Sequence, residues 1–415
     1  MTVDSSVSGK YDLLLKGGHV IDPANKIDGK MDVAIKDRRI KQVALDIPTE
    51  KATKFADVSG YYVVPGLIDI HTHVYRFQSN DGYIEGMVPD AHLLSSGVTT
   101  TVDAGTAGWR HFVDFKERFI DPARTRILAY INIASGGMVL QSTEQNPKEF
   151  HPDITAGIAE AYPDIIVGIK AAHYWVSQDW DSEHPPWASI DKALEAGDLC
   201  GKPIMVDFWP RDPERPYQDL ILKKLRPGDI HTHIFGRPFP IVDNEGKVYD
   251  YMFEAKDKGI IFDLGHGAGS FWFRNAVPAI NGGFYPDSIS TDLHMGNING
   301  PVVNMLNVMS KCLSIGMSLQ EVIMRSTVTP AQEISRHDLG TLSVGREADV
   351  AVLKHIKGKF GFTDCGGTKM IGDQKLECAM TIRAGNVVYD PTGLSMPEWK
   401  NAPIRISLSV SSETK

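Results

Sequence analysis

The stretch Tyr61-Tyr62-Val63-Val64-Pro65-Gly66-Leu67-Ile68-Asp69-Ile70-His71-Thr72-His73 decides how the rest of the chain is read. Its apolar run predicts a buried strand over residues 67–73, and residues spaced i, i+2 on a strand point to one face. His71 and His73 would then present both imidazoles at the strand's carboxyl end, a spacing suited to one metal ion. A lone His-x-His pair is more often structural than ligating, so the residues at the other strand ends decide between the two.

Seven further apolar runs follow, alternating with helical stretches: residues 99–105, 126–134, 165–173, 203–208, 229–235, 260–267 and 288–294. Eight strands with intervening helices predict a (β/α)8 TIM barrel over residues 65–340, whose functional residues sit at the carboxyl ends of the strands. A doubly wound open sheet would call for a glycine-rich phosphate loop after an early strand, and no G-x-G-x-x-G or Walker pattern occurs. The flanks read differently. Short β-type runs without helical period fill residues 1–64, and similar material returns over 341–415. Isolated hairpins are marginal, so the two ends are expected to pair into one small β-sandwich, with the tail after Pro397 as an arm or frayed end.

With 415 residues, 42% hydrophobic and 23% charged, the chain can bury a large core. A net charge of -9 and the lack of a basic tract argue against nucleic-acid binding. Residues 1–10 carry no apolar leader and no long apolar run occurs, so a cytoplasmic protein without membrane contact is expected. Cys200, Cys312, Cys365 and Cys378 show no C-x-x-C spacing, which suits reduced thiols.

The predicted strand ends bring together His71, His73, Lys170, Asp207, His231, His233, His266, Asp292 and His294. Lys170 is the oddest of them. A buried unpaired ammonium is costly and has no lone pair for a metal. It needs either a strong partner or a modification, and carboxylation by CO2 would turn it into an anionic carbamate able to bridge two cations.

Taken together, the Pro65–His73 run, the Gly18-His19-Val20-Ile21-Asp22-Pro23 start and the late Gly340-Thr341-Leu342-Ser343-Val344-Gly345-Arg346-Glu347-Ala348-Asp349 return resemble the amidohydrolase superfamily. The phrases Asp229-Ile230-His231-Thr232-His233, Asp263-Leu264-Gly265-His266-Gly267 and Ser290-Thr291-Asp292-Leu293-His294 look most like its dihydroorotase-like deacetylase branch. The resemblance implies two divalent ions, zinc or manganese, held by His71, His73, a carboxylated Lys170, His233 and Asp292, with Asp292 as the proton-transferring residue. It further implies hydrolysis of an amide or ester in a small acylated amino or hydroxy acid. A cyclic-amide hydrolase of the dihydroorotase or hydantoinase type is the alternative, and a non-catalytic scaffold is another. One departure stands out: Asp207 occupies the place of the branch's strand-five histidine, and could bind metal through oxygen. Tyr75 stands where dihydroorotases carry an arginine, with Arg76 shifted by one, which disfavours that activity. Tyr75, Arg76, His266 and His294 are the expected substrate contacts, and a homo-oligomer is expected.

Overall fold

The computed structural model describes residues 10–401. Residues 1–9, read above as lacking a leader, and the tail from 402 lie outside them. Among the described residues fifteen strands run in chain order: β1 (Leu13–Asp22), β2 (Ile27–Lys36), β3 (Arg39–Ala44), β4 (Phe55–Asp57), β5 (Tyr62–Pro65), β6 (Leu67–Thr72), β7 (Val98–Gly108), β8 (Arg126–Asn132), β9 (Ile166–Ala171), β10 (Ile204–Val206), β11 (Ile230–His231), β12 (Ile261–Phe262), β13 (Val350–Thr363), β14 (Lys369–Arg383) and β15 (Asn386–Tyr389).

Strands β6 to β12 form a seven-stranded sheet in sequential order, every pair parallel. Every residue of β6 and β7 is buried, as expected for a parallel sheet covered on both faces. Ile68, Ile70, Val102, Leu128, Tyr130, Met205 and Ile230 share a core of their own on the concave face. Helices such as Pro152–Ala161 and Ala188–Cys200 cover the other face.

The eighth expected strand, Ser288 to His294, is not a strand. It makes single parallel bridges to both edges of the sheet, Asp263 with Ser288 and Thr72 with Leu293. The reason is local. Thr291 donates its amide (3.1 Å) and hydroxyl (2.6 Å) to the Asp69 carboxylate, and Ile289 donates its amide to Arg325, so side chains and a distant turn take donors a ladder would use. Asp292 then turns the chain with φ +50°. Strands β11 and β12 are likewise shorter than expected, and a positive φ follows each, at His233 (+65°) and Gly265 (+49°).

The two ends of the chain combine in one mixed sheet of eight strands, ordered β15-β14-β13-β5-β1-β2-β3 with β4 on β1. Antiparallel pairing of β5 with β13, from Pro65↔Val350 to Tyr62↔Leu353, is the join. The expected sandwich of two facing sheets is replaced by a single sheet. Pairing runs unbroken through β5, and the sheet folds over a core of Leu13, Leu15, Val33, Ile35, Val63, Val350, Val352 and Ile382. Its β3 edge meets residues 345–348 through Ile40 N–H to Arg346 O (2.9 Å) and Ala348 N–H to Arg38 O (2.8 Å). Arg126 at the start of β8 pairs with Asp349 (2.7 Å), which also receives Arg383 (3.2 Å), tying the two sheets together. The β13–β14 hairpin reaches back over the parallel sheet, where Cys365 donates its amide to Phe271 O (2.9 Å). The four cysteines are unpaired with one another. Among the described residues no helix is long and apolar enough to cross a membrane.

Candidate metal centre and active site

A cavity of ≈ 340 Å³ opens at the carboxyl ends of the parallel strands, and His71, His73, His173, Asp207, His233, Asp292 and His294 are among its lining residues. A roomier depression of ≈ 680 Å³ against the mixed sheet is lined by Asp12, Arg38, Arg124 and Arg383, without a histidine. The histidines at the strand ends thus gather in the smaller cavity.

Three imidazoles there are fixed in the same sense by their outer nitrogens. His71 Nδ1 lies 2.8 Å from Thr232 Oγ1, whose hydroxyl donates to Asp263 Oδ2 at 2.6 Å. Having spent its hydrogen, Thr232 accepts from His71, so Nδ1 carries the proton and Nε2 shows a lone pair. His73 repeats the device: Nδ1 is 2.7 Å from Thr106 Oγ1, which donates to Asp103 Oδ2 at 2.8 Å. His233 Nδ1 faces the carbonyl oxygen of Gly265 at 2.5 Å, a pure acceptor. A side chain at Gly265, φ +49°, would strike Thr232 and His233, so glycine keeps both contacts possible. Such outer partners are the usual means of orienting metal-binding histidines.

The inner nitrogens converge on Asp292. Its Oδ1 lies 3.0 Å from His73 Nε2 and 3.6 Å from His71 Nε2, and its Oδ2 4.0 Å from His233 Nε2. Asp292 Oδ1 is buried and has no hydrogen-bond partner. His71, His233 and Asp292 offer ligand atoms all within 4.8 Å of one another, a set able to hold a metal ion. An orphaned carboxylate oxygen facing imidazole lone pairs fits a cation at that point, and a nitrogen and oxygen donor set suits zinc.

Lys170, fully buried, sets Nζ 3.4 Å from His71 Nε2. No carboxylate among the described residues pairs with it, and burial pulls its pKa below the usual lysine range, toward the neutral amine. Gly105, φ +81°, makes room for it: a Cβ there would stand 2.6 Å from the Cβ of Lys170.

Asp207 reaches the same cavity. Its Oδ2 is 3.4 Å from His233 Nε2 and 3.1 Å from His173 Nε2. Burial opposes its charge, but His173, His233 and Lys170 outweigh that and hold the carboxyl well below its ordinary range. Burial likewise opposes charge on His233, and Asp207 lifts it to about 9, so its Nε2 hydrogen has to be displaced before that nitrogen can bind a cation. His173 escaped the sequence reading. It sits just past β9 at φ +45°, with Nδ1 2.6 Å from the Tyr83 hydroxyl, which bonds Glu144 Oε2 at 2.7 Å. Asn132 holds the other oxygen of Glu144 at 2.9 Å. The signal available was a histidine three residues beyond the strand-end lysine.

No protein-family model matches the chain. Among curated proteins, it is 30% identical over 383 residues to a deacetylase of Enterococcus faecalis, covering 92% of this chain and 99% of that protein. A deacetylase of Brucella anthropi is 31% identical over 346 residues, 82% of this chain and 83% of that protein. The chain belongs to the amidohydrolase superfamily. Among solved structures, one described as an adenine deaminase aligns with TM-score 0.81 at 29% identity, over 92% of this chain and 100% of the other. A dihydroorotase aligns with TM-score 0.78 at 27% identity, over 91% and 99%.

In this amidohydrolase the remaining expected contacts divide. His294 lines the cavity; its Nδ1 accepts the Gly296 amide at 3.1 Å, which leaves Nε2 to carry hydrogen. His266 is occupied elsewhere, donating from Nδ1 to Gly267 O (2.9 Å) and meeting the amine of buried Lys311 at Nε2 (2.7 Å). Tyr75 is buried away from the cavity, its hydroxyl on Asp114 at 2.9 Å and its ring on Phe115 and Phe119. Arg76 is exposed and stacks over Phe119, 5.4 Å from the ring centre. Strand alternation stops at Thr72, so the two residues after Val74 turn outward rather than over the metal point. His231 is a core residue among Tyr217, Phe239 and Phe262, and burial depresses its pKa to about 3.

Proposed function

We propose that this amidohydrolase is a metal-dependent hydrolase of the deacetylase kind, cleaving the acyl bond of a small acylated amino or hydroxy acid. The observation that carries the reading is the convergence of oriented imidazole lone pairs and the unpartnered Asp292 oxygen on one point of the cavity. The relatives named deacetylase, matched over most of the chain, support it. Residues 288–293, bridged to both sheet edges, are read as the eighth stave of a (β/α)8 barrel.

His71, His73, His233 and Asp292 would hold the metal, proposed as zinc, with manganese as the other candidate. Lys170, as its carbamate, and Asp207 would hold a second ion. Bound there, such ions lower the pKa of water and polarise an acyl oxygen. The chain supplies the rest. Asp292 stands where a carboxylate can take a proton from the attacking water and return it to the leaving amine or alkoxide. His294 offers a hydrogen-bond donor from the cavity wall. Depression of the Lys170 pKa favours the free amine, the only form that reacts with CO2.

Metal analysis of the purified protein combined with hydrolysis of a panel of N-acetyl amino acids and O-acetyl hydroxy acids tests the reading. Metal-dependent release of acetate is the expected result. Turnover of cyclic imides alone would move the assignment to the dihydroorotase or hydantoinase kind, and a metal-free inert protein would leave a scaffold.

A further inference from the structure

The cavity also contains a buried cation that this chemistry leaves unused. Arg215 lies on the loop after β10, only 3% exposed, and lines the same cavity as Asp207 and His233. Its guanidinium is held firmly. Nη1 donates to the carbonyl oxygens of Tyr174 (2.9 Å) and Pro186 (3.5 Å), and Nη2 to that of Trp175 (3.3 Å). The rings of Trp180 and Phe208 flank it at 4.8 and 5.5 Å. A short antiparallel turn, with Arg211 and Arg215 exchanging backbone hydrogen bonds of 2.8 and 2.7 Å, sets its direction.

Carbonyls and rings orient a guanidinium without neutralising it. Among the described residues no carboxylate pairs with Arg215, and the neighbouring charge is a second arginine, Arg211. Nε has no partner at all, and Nη2 uses one of its two hydrogens. A buried cation with unspent donors is expensive to keep unless an anion meets it, and the planar fork of arginine matches a carboxylate in two-point contact. Ile84, Met138, Val176, Ile190 and Phe208 line the cavity around it, a wall suited to an apolar side group.

We propose that Arg215 binds the carboxylate of the substrate and restricts this enzyme to acylated acids bearing an apolar side group. The inference rests on the hydrolase reading above and names its substrate class. Arg215 is here a specificity residue and takes no part in proton transfer.

The test compares N-acetyl amino acids of both hands with their primary amides, which differ only in lacking the carboxylate charge. Wild type, Arg215→Lys and Arg215→Met are assayed as metal-loaded protein, with metal content and thermal unfolding midpoint measured for each. In Arg215→Met, kcat/KM for the acids should fall about 100-fold or more, mostly through KM, and change little for the amides. Arg215→Lys should lie between. An equal loss on acids and amides, or a wild type that does not prefer acids, overturns the proposal. Equilibrium binding of the same compounds, followed by calorimetry, separates it from the hydrolase reading. Acids bound without turnover, and released in Arg215→Met, would sink the hydrolase reading and keep the carboxylate site. Acids not bound by the wild type would sink the carboxylate site.

Discussion

Replacing Thr232 by valine removes one hydroxyl from a group that touches no substrate. That hydroxyl takes the Nδ1 hydrogen of His71 at 2.8 Å and gives its own to Asp263 at 2.6 Å. Asp263 keeps Ser288 (2.9 Å) and Ser290 (2.8 Å), so the carboxylate survives the change and the imidazole bears the loss. Either the Nδ1 hydrogen stays, with only the Asp263 Oδ2 at 3.5 Å left to face it, at a cost of up to about 1–3 kcal/mol. Or the proton moves to Nε2 and closes the lone pair facing the metal point. Loss of an outer partner generally weakens metal binding about 10- to 100-fold, which is about 1.4–2.7 kcal/mol and matches the first figure. The expected outcome is a Kd for zinc raised by about that factor, read by titrating metal-free protein against a competing chelator at neutral pH. Thr106→Val should act alike through His73, whose Nδ1 bonds Thr106 at 2.7 Å. Affinity changed by less than about twofold in both variants would show that the threonines do not set the histidine tautomers, and would remove the argument for a prearranged metal point.

Asp292→Asn should retain most of the metal while losing on the order of 10²-fold in turnover, the range for a positioned proton carrier; unchanged turnover with metal retained would exclude the role. Lys170→Ala should lose metal and recover part of it with added acetate or formate, which can stand in for a carbamate. A fully metallated crystal showing a bare Lys170 amine away from the ions would refute carboxylation. Metal stoichiometry in Asp207→Ala and Asp207→His tests strand five: loss of one equivalent in the first and its return in the second is expected, and full occupancy in both would show that Asp207 holds no metal.

The first seven strands of the parallel sheet were legible because each is an apolar run between turn residues, and burial on both faces requires that pattern. The eighth was not, because the amides of Thr291 and Ile289 go to the Asp69 carboxylate and the Arg325 carbonyl, and a sequence pattern does not show where a backbone amide finds its acceptor. His71 and Lys170 lie on β6 and β9, where period-two reasoning works, and His73, His233 and Asp292 lie within two residues of a strand or bridge. Farther from the extended residues it fails in both directions. Tyr75 and Arg76 look close to the metal point in sequence and lie outside the cavity, whereas His173 and Arg215 are brought in by turns, one at φ +45° and one on an irregular loop. A residue's distance along the chain from a strand end says little once the backbone leaves the pleat.

The antiparallel seam between β5 and β13 also has a history in time. When Tyr62–Pro65 leaves the ribosome, its partner, Val350–Leu353, has yet to be translated. At common elongation rates the wait is on the order of tens of seconds, far longer than hairpin formation. During it, β5 offers an unpaired apolar edge to any extended segment nearby, the situation that invites mispairing and chaperone attention. The parallel sheet, whose neighbours follow one another in sequence, can assemble as it emerges. The last strands to be made thus act as a clasp, and conditions that slow release of the nascent chain should lower the yield of folded protein without altering the finished fold.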